Sequence, residues 1–194
     1  MQNLSSQGKL AFIFPGQGSQ AVSMLSDFAQ NDIVQQTFKE ASDALGYDLW
    51  QLIAQGPVEQ LNQTNFTQPA LLTASVALWR VWQAESDVLP TFFAGHSLGE
   101  YSALVCSESL DFNDALFLLF ERGKAMQEAV PLGKGSMIAV LGSKVDELNN
   151  YIKEIKTKGV CEIANDNAEG QTIISGDVES INFLQNLLKK DSNL

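Results

Sequence analysis

Gly95-His96-Ser97-Leu98-Gly99 sets a serine between two glycines in the pattern G-x-S-x-G. At ordinary residue frequencies chance supplies such a pentamer in roughly one chain in fifteen of this length, so its setting decides its weight. The apolar run Thr91 to Ala94 precedes it and a helical pattern runs from Leu98 to Cys106, which is the strand–turn–helix context of a nucleophile elbow. The glycines permit a sharp turn that leaves one side of Ser97 open. The first N–H groups of the following helix then face any negative charge that develops there. Ser97 to Glu100 also fits a capping box, in which the hydroxyl is committed to the helix N-terminus. On the residues alone, nucleophile and cap both stand.

His96 is the only histidine in the chain. Side chains of immediate neighbours diverge at a strand-to-helix turn, so His96 is expected to line the pocket or brace the elbow rather than serve Ser97 as base. One histidine cannot build a zinc cluster, and Cys106 and Cys161 lie far apart with no CxxC pair, so no metal is expected. Arg122 sits among Leu118, Leu119, Phe120 and Met126. Either it pairs with Glu121 or Glu128 on a helix surface, or it is held for an anion, to which its planar fork is suited. Gly123 is expected to leave space beside the guanidinium. Pro15-Gly16-Gln17-Gly18-Ser19-Gln20-Ala21 follows an apolar strand and formally matches a dinucleotide-binding turn, but no second strand with an acid follows at the required distance. No phosphate-loop lysine motif occurs either. What remains is a tight loop that is either a simple turn or a set of backbone N–H groups and the Gln17 side chain offered to a ligand.

The elements that must hold these residues alternate in type. Leu10 to Phe14 reads as a short strand buried on both faces, because no polar residue interrupts it. Helical patterns follow at Val34 to Leu45, Leu49 to Ala54 and from Thr67, where Thr67 is expected to cap and Pro69 to occupy the first turn. A further helix covers Asn113 to Ala129, with Asp111 as its cap. Strands separated by helices, with polar loops at strand ends, predict an α/β architecture. Past Pro131 the order becomes strand Ser136 to Leu141, helix Val145 to Lys156, strand Val160 to Asn165, strand Gln171 to Ser175 and helix Val178 to Lys190. That is β-α-β-β-α, one strand short of a ferredoxin-like unit. Two domains are therefore expected, 1–130 and 131–194.

The chain has 194 residues, 45% of them hydrophobic, which suffices for a true core. Its formal net charge of −11 argues against a nucleic-acid groove or an anionic membrane surface as partner. No apolar run approaches the length of a membrane span and no cleavable leader pattern appears, so a cytoplasmic location is expected.

Phe14-Pro15-Gly16-Gln17-Gly18-Ser19-Gln20, Thr67-Gln68-Pro69-Ala70, Gly95-His96-Ser97-Leu98-Gly99-Glu100-Tyr101 and Arg122-Gly123 together resemble the malonyl-CoA:acyl-carrier-protein transacylases of bacterial type II fatty acid synthesis. The likeness runs along essentially the whole chain. It implies an α/β-hydrolase-like large domain, here incomplete, carrying a ferredoxin-like small domain that lacks its last strand. By the same resemblance Ser97 is acylated, the backbone N–H groups of Gln17 and Leu98 form the oxyanion hole, Arg122 pairs with the malonyl carboxylate, and His96 is the histidine of the pentamer that is not the base. The family's general base follows the small domain, beyond the end of this sequence. The chain is thus expected to be an N-terminal portion with little turnover of its own. The implied substrate is malonyl-CoA and the implied partner is acyl carrier protein, with no cofactor, and the full-length enzyme is expected to be a monomer. A serine thioesterase or hydrolase using the same elbow, and a non-catalytic fragment acting as an interaction module, are the alternatives.

Overall fold

A computed structural model describes residues 9–131, 133–157 and 159–191. The chain divides into two compact units, up to Gln127 and from Glu128. The change falls within the last turn of a continuous helix. In the first unit β1 (Ala11–Phe14) is followed by a 3-10 turn at Ser26–Phe28, then α1 (Asp32–Leu45), α2 (Leu49–Gln55), α3 (Val58–Leu61), α4 (Thr64–Glu85), β2 (Phe92–Gly95), α5 (Leu98–Cys106) and α6 (Phe112–Ala129). Neither α3 nor the 3-10 turn was expected from the sequence pattern, because each is too short to show a period.

Helix α4 is the spine of this unit. Every residue from Thr67 to Ala77 is buried, so the helix is enclosed rather than amphipathic. It begins at Thr64, a turn earlier than expected, and Pro69 lies inside it. Thr67 does not cap. Its hydroxyl donates to the carbonyls of Leu61 and Gln63, tying α4 back onto α3. Asp111 does cap α6, its Oδ1 accepting from the N–H groups of Asn113 and Asp114 at 2.8 and 3.1 Å.

Strands β1 and β2 pair in parallel, Ala11 opposite Phe92 through Phe14 opposite Gly95. One face of this two-stranded sheet lies on α4: the Phe12 ring meets Trp79 and Trp82 edge-on at 5.2 Å, and Phe93 meets Trp79 at 5.0 Å. Such pairs contribute roughly 0.5–1.5 kcal/mol each beyond burial, so they orient the sheet as well as cover it. The other face is open. Ile13 is 79% exposed and Phe92 53%, which corrects the expectation that β1 is buried on both sides. A continuous apolar run records that a strand is apolar, not that both of its faces are covered. The parallel sheet, the sharp β2–α5 turn and the flanking helices make this unit α/β-hydrolase-like.

The second unit comprises β3 (Gly135–Leu141), α7 (Val145–Ile155), β4 (Cys161–Ala168), β5 (Gln171–Asp177) and α8 (Val178–Asp191). Its antiparallel sheet has the order β3-β5-β4. Leu148, Ile152 and Ile155 of α7 and Ile181 and Leu184 of α8 share one core with Val140, Cys161 and Ile174 of the sheet. This is the ferredoxin-like arrangement with no fourth strand among the described residues, and it leaves one edge of β3 unpaired. Strand β4 runs three residues past its expected end because irregularities at Ile163/Asn165 and Asp166/Ala168 break the alternation that marks a strand in sequence.

Candidate active site

Parallel pairing that ends with Phe14 opposite Gly95 sends two loops off the same sheet edge together. The Pro15–Gly18 loop and the His96–Ser97 turn are therefore neighbours by register. Their closeness needs the glycines of the pentamer. A Cβ on Gly95 would collide with the backbone of Gly99, and one on Gly99 would collide with the carbonyl of Phe14. Helix α5 can thus start directly over the end of β1 only with glycine at both positions.

Between them Ser97 adopts φ 54° and ψ −111°, a conformation that costs a non-glycine residue about 1–3 kcal/mol. Although it occupies the N-cap position of α5, its side chain makes no capping hydrogen bond. The backbone does that work: Gly99 N–H donates to the His96 carbonyl at 3.0 Å and Glu100 N–H to the Ser97 carbonyl at 3.2 Å. The capping-box reading is therefore set aside, and the hydroxyl is left for other partners.

Its partner is Arg122. The Nη2 of Arg122 donates to Ser97 Oγ at 3.0 Å and its Nη1 donates to Gln68 Oε1 at 2.7 Å. The guanidinium carbon lies 5.7 Å from the centre of the Tyr101 ring, which adds a cation–π contact. Among the described residues Arg122 forms no ion pair, so the alternative of a surface pair with Glu121 or Glu128 is not what the structure adopts. The expectation for Gly123 is corrected as well. A Cβ there would come within 2.5 Å of Asn65 Cα, so this glycine lets α6 close on the first turn of α4 rather than making room beside the guanidinium.

Gln68 is a site residue that sequence reasoning missed. In the sequence it stands only as part of the Thr67-Gln68-Pro69-Ala70 motif, yet it is fully buried on α4, and a buried amide in an apolar helix requires a partner. That requirement was the available signal. Gln17 lies in the exposed loop with its Nε2 3.4 Å from Thr64 Oγ1, while Gly18 N–H donates to Gln20 Oε1 at 2.8 Å and Gln20 Nε2 to Asn62 Oδ1 at 2.9 Å. The loop is thereby tethered to the start of α4. Leu98 is 1% exposed, and its N–H stands at the first position of α5, where a helix has no carbonyl of its own to offer. His96 is exposed beside Ser97, and no hydrogen bond joins the two.

The structure thus joins Ser97, Gln68 and Tyr101 through Arg122, and strand register sets the loop that carries Gln17 beside the turn that carries His96 and leads into Leu98. A strained serine hydroxyl, a cation with no counter-ion among the described residues and helix N-terminal amides form a combination suited to acyl transfer to oxygen. Cys106 offers no competing nucleophile, since burial pushes its thiol up to about 12 and keeps it protonated, although the nearby Arg80 charge acts in the opposite direction. No group of three or more His, Cys, Asp or Glu among the described residues could hold a metal ion. No helix among them is long and apolar enough to cross a membrane.

The family model described as acyl transferase domain matches residues 11–193. A malonyl CoA-acyl carrier protein transacylase of Salmonella typhimurium is 54% identical over 174 residues, which are 89% of this chain and 56% of that protein. A solved malonyl CoA-acyl carrier protein transacylase from Coxiella burnetii superposes with a TM-score of 0.89 at 48% identity, covering 95% of this chain and 58% of that one. A type II PKS acyl-carrier protein in complex with its malonyl-transacylase matches with the same TM-score and identity, covering 95% of this chain and 60% of that one. The chain spans somewhat more than half the length of the relatives it matches. With a strained serine on its elbow turn, an arginine facing that serine and a match over nearly all its residues, this chain belongs to the acyl transferase domain family, alongside the bacterial malonyl CoA-acyl carrier protein transacylases.

Proposed function

We propose that residues 1–130 and 131–194 are parts of the catalytic domain and the ferredoxin-like subdomain of an enzyme that moves a malonyl group from malonyl-CoA to the phosphopantetheine thiol of acyl carrier protein in the cytoplasm. Ser97 Oγ attacks the thioester carbonyl. The resulting oxyanion is received by the N–H groups of Gln17 and Leu98, the CoA sulfur leaves with a proton, and a malonyl-serine ester remains. The carrier-protein thiol then attacks that ester through the same hole and restores Ser97. Arg122 holds the free carboxylate throughout, which favours a dicarboxylic half-thioester over acetyl. His96 supports the turn and lines the pocket. It is not the base, and it is the one histidine of residues 1–194, so slow turnover is expected of them.

The observation that carries this reading is the Ser97 hydroxyl, freed from capping at a strained elbow and 3.0 Å from an arginine with no acidic partner among the described residues. The test is intact-mass analysis of the purified chain after prolonged incubation with malonyl-CoA. One malonyl adduct located on Ser97 and lost in Ser97→Ala is expected, with passage to added carrier protein exceeding release as free malonate. Labelling that persists in Ser97→Ala would defeat the assignment. Release to water alone would convert the reading to a hydrolase.

A further inference from the structure

Gln68 fixes how Arg122 presents itself, and its chemistry explains why the residue there is an amide. The side chain is fully buried, its Oε1 accepting from Arg122 Nη1 at 2.7 Å while its Nε2 faces Met126 Sδ at 3.4 Å. The amide can point only one way, because reversing it would set NH2 donors against guanidinium donors and an oxygen lone pair against sulfur. Anchored through Nη1, the guanidinium directs Nη2 at Ser97 Oγ. A neutral acceptor holds the fork without cancelling its charge. A carboxylate of nearly the same shape would occupy the same donor and neutralise the cation before any ligand arrived. We infer that Gln68 is a positioning and specificity residue, whose neutral carbonyl orients Arg122 and keeps its full charge for the carboxylate of the acyl donor. This rests on Arg122 being the carboxylate ligand, as proposed above.

The test uses the chain carrying Ser97→Ala, so that no acylation intervenes, and isothermal titration with malonyl-CoA and with acetyl-CoA. The ratio of the two dissociation constants is the readout, since a purely structural role for Gln68 would change both alike. Relative to that background, Gln68→Glu is expected to reduce the preference for malonyl-CoA about tenfold or more while retaining the fold by circular dichroism. Gln68→Leu, which releases the fork but leaves it charged, should reduce it about threefold to tenfold and by less than Gln68→Glu. A preference abolished by Arg122→Ala but unchanged in both folded Gln68 variants would overturn the inference and leave Arg122 as the carboxylate ligand. A preference that survives Arg122→Ala would instead overturn the reading of Arg122 on which the inference stands, as would equal affinity for the two ligands in the background protein. If Gln68→Leu fails to fold, Gln68→Glu alone decides, because its shape is preserved.

Discussion

At Arg122 the structure places a cation whose partners among the described residues are neutral: an amide oxygen, a hydroxyl and the face of a tyrosine ring. A charge held this way keeps most of its attraction for an anion. Replacing Arg122 by Ala should therefore slow acylation of Ser97 by malonyl-CoA by an amount equivalent to about 2–5 kcal/mol, the usual cost of removing one partner of a desolvated charge pair. Acylation by acetyl-CoA should be spared, because a methyl group gains nothing from the guanidinium. Arg122→Lys keeps the charge and loses the fork, so it should fall between the two. Rapid-quench measurement of the first acylation with each donor gives the ratio, and an unchanged ratio in a folded Arg122→Ala protein would make Arg122 a structural cation.

The turn between β2 and α5 illustrates how an element rather than a residue leaves the Ser97 hydroxyl free. Ser97 is strained and uncapped because the helix behind it begins too close to β1 for any ordinary turn, and that closeness depends on Gly95 and Gly99. Gly99→Ala would gain helix propensity in an isolated peptide, yet here its methyl group meets the carbonyl of Phe14, which is backbone and cannot rotate away. The expected net effect is a loss of about 1–3 kcal/mol of stability, typical of overpacking at a well-filled contact. Urea unfolding followed by circular dichroism would measure it. A variant as stable as the parent, with Ser97 still acylated, would show that α5 can shift without losing the elbow.

Considered whole, the chain holds two separate cores, and the α4 side of the parallel sheet is covered while the opposite side is not. Ile13, at 79% exposure, is the clearest marker of the open face. Ile13→Thr retains a β-branched strand residue and removes apolar surface that the fold does not use. Its stability should stay within about 0.5 kcal/mol of the parent, and binding of the dye ANS should decrease. A loss of more than about 2 kcal/mol would mean that this side chain is packed rather than open.

Much of the site was legible in the residue order because its strongest signals are local. G-x-S-x-G between a strand and a helix, the apolar runs that mark β1 and β2, and the β-α-β-β-α order after Pro131 are all set by spacing within a few residues, where sterics and periodicity act directly. Local reasoning could not choose between Ser97 as cap and Ser97 as free hydroxyl, because both use the same four residues; the choice came from the approach of α5 to β1, a contact between segments far apart in sequence. For the same reason Arg122 could not be assigned a partner among its neighbours, since the groups it touches come from α4 and the elbow. Gln68 went unassigned because a polar residue in an apolar helix has meaning only once its surroundings are known. Residue order settles which groups are present and which short segments carry them. Which of those groups meet is fixed by the folded arrangement, because burial, charge compensation and hydrogen-bond pairing depend on neighbours that chain spacing does not specify.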